Sequence, residues 1–276
     1  MMAISDAIHD HLSQYCVQIA CNVVRPDGSR PEAPLIVSAF IVEAADRWFV
    51  VSAGHVLTDI RSFQRQGFQF GVCYIRDAAA PRFENMGVPI DLDPDQWIVC
   101  DPDEHGLDYA ALPLRDYYRH TLSQSGFKPL SRSGWGDPSQ RYDYMVVIGV
   151  PEMLVSAQHG AVDIVKMRQV AIPLVPCEPP SQVERKHELQ FFARMDESAN
   201  HLTDIGGMSG SPVFGIRWLS RDEGDKEHTL QCWAVGVQSG WYKSSRVISA
   251  YAMEIFGQSL EALVRDRSRS ASPARD

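Results

Sequence analysis

No stretch of this chain reaches 18 consecutive uncharged apolar residues, so no transmembrane helix is expected. Positive charge is not in excess: 26 Lys and Arg against 35 Asp and Glu leave a net charge of −9. That balance excludes a general nucleic-acid binder, which needs a basic stripe to displace counterions. The six cysteines (Cys16, Cys21, Cys73, Cys100, Cys177 and Cys232) include no C-x-x-C pair and no zinc-type spacing, and the nine histidines form no ligand pattern. No metal and no cofactor are expected. The first residues, MMAISDAIHDHLSQ, have neither a positive n-region nor a continuous apolar h-region, so no secretory signal is read there. A chain of 276 residues can build its core without disulfides. These absences read as an acidic, cytoplasmic protein with reduced cysteines, away from membranes. Its 45% hydrophobic and 22% charged residues are those of an ordinary globular chain.

What is present is mostly β-type. AISDAIHDHLSQ has Ile4, Ile8 and Leu12 on one stripe and predicts a short helix within residues 1–14. Short runs rich in valine, isoleucine, aromatics and threonine follow, bounded by turn residues: YCVQIACNVV, LIVSAFIVEA, RWFVVSAG, FQFGVCYI, QWIVC and YAALPL. Residues 115–142 interrupt this rhythm with polar and turn-forming residues, and the linker proper is placed at 126–142. Strand patterns resume with YMVVIGV, AVDIVKMRQVAIPLV, LQFFARM, SPVFGIRWL, LQCWAVGVQSGW and VISAYAM. MEIFGQSLEALVRD predicts a helix packing through Ile255, Leu260 and Leu263, and RSRSASPARD reads as a solvated tail. The expected fold class is all-β: two β-rich halves, 15–125 and 143–255, side by side as barrels, with 256–276 as terminal helix and tail.

One motif carries chemistry. GGMSGSPVF sets Ser209 between glycines, two residues before Ser211-Pro212. Residue usage puts a chance G-x-S-G-x-P in such a chain at roughly one in two hundred. Ser209 is either a turn residue or a nucleophile, and a nucleophile needs a base, an orienting group and oxyanion donors. RWFVVSAGHVLTD offers the base: an apolar strand ends at Ala53-Gly54 and delivers His55. The plainer reading of His55 is a residue near a helix start. EHGLDYAALPL places Asp108 at the head of an apolar run, where it either orients the base or caps the strand. Asp101, Asp103 and Glu104 are rivals in a more polar loop. The order His55, Asp108, Ser209 is that of chymotrypsin-type enzymes and not of subtilisins or α/β-hydrolases. The strand–helix alternation of an α/β-hydrolase is lacking as well.

On SAGHVL, LDYAALPL, VVIGVP, GGMSGSPVF and GVQSGW, in order between about residues 15 and 255, the chain resembles the trypsin-like (chymotrypsin-fold) serine peptidases. It is similar to their compact bacterial forms, including glutamyl-endopeptidase-like and HtrA-like domains. The resemblance implies two Greek-key six-stranded barrels and a serine endopeptidase acting on a protein or peptide. Ser209 would be the nucleophile, His55 the general base and acid, and Asp108 the orienting group. The N–H groups of Gly207 and Ser209 would form the oxyanion hole. Where vertebrate digestive enzymes carry an aspartate before the nucleophile, this chain has Met208, so activation by a freed N-terminus is not expected.

The resemblance also places a specificity pocket. Thr203 would lie at its base. The neighbouring Asp204 is either a pocket carboxylate favouring Lys or Arg, or a solvated loop residue. Gln238 takes the place where glutamyl endopeptidases have a histidine. Ser239, Gly240 and Trp241 would line the wall and the edge that binds a peptide by strand addition. An inward Trp241 would narrow the pocket to small residues. The expected role is limited processing of a specific intracellular protein, with a regulatory protein partner allowed. The alternative is a protease-fold module that binds peptides or partners with little turnover.

Overall fold

The computed structural model describes residues 6–31, 34–76, 87–100, 107–158, 164–220 and 228–270, and the statements below concern these. Helix α1 (Asp6–Ser13) leads into β1 (Cys16–Val24), β2 (Leu35–Ala44) and β3 (Arg47–Ser52). After helix α2 (Gly54–Arg65) come β4 (Gln69–Arg76), β5 (Val88–Ile90), β6 (Ile98–Cys100) and β7 (Tyr109–Pro113). These seven strands form one antiparallel sheet in the order β5-β4-β1-β2-β3-β7-β6. Helix α3 (Asp116–Gln124) and an irregular segment lead to β8 (Tyr144–Gly149). A hairpin of β9 (Val155–Gln158) and β10 (Ile164–Met167) stands apart. Strands β11 (Val170–Cys177), β12 (Gln190–Met195), β13 (Pro212–Ser220), β14 (His228–Tyr242) and β15 (Val247–Ala252) close with β8 into a six-stranded barrel. Helix α4 (Met253–Ser270) follows.

The apolar runs of β2 and β3 are continuous because both of their faces are buried. Val37, Ala39, Ile41 and Val50 enter the interior of the first sheet, while Phe40, Val42, Phe49 and Val51 enter a second core between the two halves. That seam core also takes Val146, Ile148, Phe214 and Val237 from the barrel. Both terminal helices seal it, α1 through Ile8 and Leu12 and α4 through Met253, Phe256, Leu260 and Val264. The linker crosses the same seam. Leu130 bridges to Val42 in the first sheet and Trp135 to Ala234 in the barrel. Two halves tied through one core hold a site at their junction in fixed geometry.

The all-β class with short terminal helices is as the sequence reads, with differences in detail. The first sheet has seven strands where six are expected. The single run from Ala161 divides into β10 and β11, because they pair with different partners. Helix α3 lies within the interrupting stretch; only Leu122 of it is buried, so it carries almost no apolar periodicity. In α4 the packing face is Met253, Phe256, Leu260 and Val264, whereas Ile255 and Leu263 are more than a third exposed. Ile4, Asp101, Asp103 and Glu104 lie outside the described residues. The reading of reduced cysteines is corrected for one pair: Cys21 and Cys73 face each other on β1 and β4 and form a disulfide. Antiparallel register, not sequence spacing, brings them together. Among the described residues no helix is long and apolar enough to cross a membrane, which says nothing of strands.

Candidate functional site

Antiparallel pairing of β3 with β7 sets Ser52 opposite Ala110, so the residue before β7 meets the turn that follows β3. That is why Asp108 reaches His55 across 53 residues of sequence. Asp108 Oδ2 lies 2.7 Å from His55 Nδ1, and its Oδ1 accepts the His55 backbone N–H at 2.8 Å. The second bond has a local cause. Helix α2 begins after Ala53, whose side chain cannot cap it, so its first N–H groups need an acceptor from elsewhere. With one carboxylate Asp108 therefore binds the imidazole and caps helix α2, a cap on a different element from the strand cap that the plainer sequence reading gives it. Its side chain is 5% exposed and that of His55 33%. An acceptor-only carboxylate at Nδ1 holds the ring proton there and leaves Nε2 as the basic nitrogen.

Ser209 is set by a turn whose neighbours are anchored. Met208 is fully buried in the barrel interior, and its carbonyl accepts the Ser211 N–H at 2.9 Å. Gly210 donates its N–H to the Gln238 carbonyl at 2.8 Å and has φ of +91°, a left-handed conformation open to glycine. A side chain at 210 would overlap Ser52 Oγ and the Ser38 carbonyl and come within 2.9 Å of the Ala53 nitrogen. The serine turn is thus pressed onto the end of β3 at Ser52, three residues before His55. Ser209, between buried Met208 and buried Gly210, stays half-exposed at the surface of the seam. Among the described residues no hydrogen bond closes from the Ser209 hydroxyl to the imidazole; such bonds commonly tighten only with substrate bound.

The backbone at Gly206-Gly207 is held at two successive carbonyls. The Gly206 carbonyl accepts the Glu152 N–H at 2.7 Å, and the Gly207 carbonyl accepts Ser38 Oγ at 3.1 Å. The Gly206–Gly207 peptide is trans, so the Gly207 N–H points opposite to the Gly206 carbonyl, away from Glu152. Gly207 has φ of +86° and is exposed. Ser38 is itself held by Ser52, whose hydroxyl donates to the Ser38 carbonyl at 2.9 Å.

Of the residues expected in a specificity pocket, Thr203 is exposed, and Asp204, Ser239, Gly240 and Trp241 are partly buried. Gln238 is buried, its Nε2 donating to the Gly240 carbonyl at 2.9 Å. Trp241 packs part-buried against the barrel core, and its Nε1 donates to Asp204 Oδ1 at 2.9 Å. Lys243 Nζ sits 2.7 Å from Asp204 Oδ2, and the Gly206 N–H donates to Oδ1 at 3.0 Å. Strand β14 loses its β13 partner after the Pro212–Val237 pair, so its edge at Ser239–Trp241 is open on that side.

Lys243, then the Gly206 N–H and Trp241, hold the Asp204 pKa down at about 2. A depressed folded-state pKa contributes stability fully present above about pH 4 and lost as pH falls toward 2. The pair is well exposed, so the contribution is at most about 1 kcal/mol. Asp204→Asn is expected to be less stable than wild type at pH 6 by that amount, with the gap closing by pH 2. Urea unfolding at a series of pH values measures it, and a gap independent of pH would show that the carboxylate charge is not its source.

Sequence reading does not find Glu152, Ser38, Ser52 or Lys243. The first acts through a backbone N–H that every residue but proline has, so its side chain carries no signal. The two serines look like ordinary strand residues until the register places them. Among the described residues no group of three or more metal-type ligands gathers.

No protein-family model matches the chain, and no curated protein matches it. Among solved structures, a thermostable serine protease, AL20, from an extremophilic microorganism is similar over 91% of this chain and 97% of its own, with 15% identity and a TM-score of 0.50. The Rv3671c protease of M. tuberculosis in its active form is similar over 93% and 84%, with 14% identity and a TM-score of 0.48. The first likeness shows the fold, which is that of the chymotrypsin-type serine proteases.

Proposed function

We propose that this chain is a serine endopeptidase of the chymotrypsin type. The observation that carries the reading is the buried Asp108 carboxylate, which binds both the imidazole and the backbone N–H of His55 beside the Ser209 turn. Ser209 Oγ attacks the scissile carbonyl carbon while His55 Nε2 takes its proton. The oxyanion forms against the N–H groups of Gly207 and Ser209. Collapse breaks the C–N bond, and His55 returns the proton to the leaving amine. Water then attacks the acyl-enzyme with His55 again as base, freeing Ser209. Asp108 stays ionised throughout and stabilises the imidazolium.

The substrate is an extended peptide segment added to the open edge of β14 at Ser239–Trp241. With Trp241 folded onto Asp204, and that carboxylate already bonded three ways, the pocket beneath suits a small side chain better than Lys or Arg. An edge that reads extended backbone cuts folded proteins only at accessible loops, which fits limited processing of a particular protein. The cytoplasmic placement expected from composition sits against the Cys21–Cys73 disulfide, a bond that persists in oxidising compartments.

A second reading is a peptide-binding module with little turnover, for which the open β14 edge at Ser239–Trp241 alone would suffice. Incubation with a fluorophosphonate probe and intact-mass analysis separates the two. Wild type is expected to gain one adduct and Ser209→Ala none. An unlabelled wild-type protein would favour the binding module.

A further inference from the structure

Beside Gly207 lies a cavity of about 440 Å³ that the chemistry above does not use. Leu35, Ile36, Phe63 and Phe68 wall it on the side of the first sheet, and Val155 and Gly207 on the side of the barrel. Among its lining residues only Arg25 and Glu152 carry charge. Phe63 is 40% exposed on α2, between Ser62 and Gln64, and packs its ring 5.2 Å from that of Phe68. The pair closes the C-terminus of α2 across Gly67, with the Phe68 N–H donating to the Phe63 carbonyl at 3.0 Å, and it lies off the buried Leu57–Ile60 face, so its rings are left to wall the cavity.

The position of the cavity along a bound substrate follows from two placements. None of its walls comes from β14, whose open edge at Ser239–Trp241 takes the acyl side of the substrate. Gly207, the oxyanion donor, forms part of its rim. The cavity therefore opens on the far side of the reacting carbonyl, toward the leaving amine. An extended chain rises about 3.3 Å per residue, so the first two residues after the scissile bond lie within reach of it. Resting on the endopeptidase reading, we propose that this cavity takes a large apolar side chain, aliphatic or aromatic, from the first or second residue on the leaving side. The protein is then selective on both sides of the bond: for a small residue before it and a bulky apolar one after it.

Acyl transfer tests this apart from the triad. An acyl ester whose leaving group carries no amino acid forms the acyl-enzyme, and its rate reads the triad alone. Amine acceptors then compete with water: the amine nitrogen bonds the acyl carbon, the Ser209 ester breaks, and the amine's proton returns to Ser209 through His55. Phe-amide, Leu-amide, Gly-Phe-amide and Gly-Leu-amide are compared with Gly-amide, Asn-amide, Gly-Gly-amide and Gly-Asn-amide. At one of the two positions the apolar acceptors are expected to be captured at least tenfold better, within the range that apolar pockets deliver. Phe63→Ser and Phe68→Ser are expected to reduce that ratio below threefold, while ester hydrolysis changes less than twofold. Ester turnover without apolar preference, or a preference the variants leave intact, overturns the proposal.

If the ester is not turned over, the endopeptidase reading fails and binding decides the pocket. Ser209→Ala is titrated with a fluorescent peptide bearing phenylalanine at the leaving-side position, and with its asparagine counterpart. Tighter binding of the first, lost in Phe63→Ser, sustains the pocket. Equal or absent binding overturns it.

Discussion

Ser209→Ala and His55→Ala are each expected to lower kcat by about 10⁵ to 10⁶, and the double variant to be no worse than either single. The non-additivity is the informative part. Each group works only through the other, so once one is gone the second has nothing left to contribute. Asp108→Asn should fall less far, by about 10⁴, because the imidazole remains but in the wrong tautomer. That variant carries an additional signature here. Asparagine can still accept the His55 backbone N–H with its carbonyl oxygen while its amide faces Nδ1, so the cap of α2 survives and the melting midpoint should hold. Asp108→Ala removes the cap too, and is expected to cost about 1–3 kcal/mol of stability beyond the same rate loss. Rates on a peptide substrate, with thermal melting of all four single variants, check both halves. Strictly additive losses, or an asparagine variant within about tenfold of wild type, would remove Asp108 and His55 from the chemistry.

How much of this was legible beforehand depends on which physics places each group. The apolar run ending at Ala53-Gly54 and the one beginning after Asp108 are strand signals, and strand ends are where β-proteins present functional residues. His55 and Asp108 could be picked out for that reason, although only the β3–β7 register shows that they meet. Gly207 and Gly210 were legible as glycines. Their need for positive φ, and the overlap with Ser38 and Ser52 that bars a side chain at 210, appear only when the halves are docked. The seam core was not legible at all, because a residue buried between two sheets looks the same in sequence as one buried within either. The same holds for the Cys21–Cys73 pair and for Ile255, whose apolar character suggested packing although it faces out. In sequence Asp204 reads equally as a pocket carboxylate or a solvated one, because its partners Trp241 and Lys243 lie 37 and 39 residues away, where no local pattern connects them.

Glu152→Pro is expected to lower kcat by about 10² to 10³ with KM changed less than about threefold, although no atom of the Glu152 side chain takes part in the chemistry. Proline removes the one N–H that holds the Gly206 carbonyl. Gly206 and Gly207 have no side chains to resist rotation of the peptide between them, so its orientation rests on hydrogen bonds. With the Glu152 bond gone, the Asp204 carboxylate on the Gly206 N–H and the Ser38 hydroxyl on the Gly207 carbonyl still hold the two flanking peptides, but nothing holds the Gly206 carbonyl, and the Gly207 N–H loses its fixed aim. Removing one aimed oxyanion donor costs about that much in other hydrolases. The fold itself should tolerate the change. Residue 152 is the first of a 3₁₀ turn, and Pro151 before it already sits at φ −62°, ψ 140°, the extended region that a following proline requires. Glu152→Gln keeps the N–H and is expected to retain full activity, which separates the backbone bond from any effect of the carboxylate on the neighbouring cavity. A proline variant within threefold of wild type would mean that the oxyanion donors are aimed by something other than this bond. A glutamine variant as impaired as the proline one would assign the effect to the side chain. The expected split, kcat lost and KM kept, is that of a group felt only when the carbonyl becomes an oxyanion.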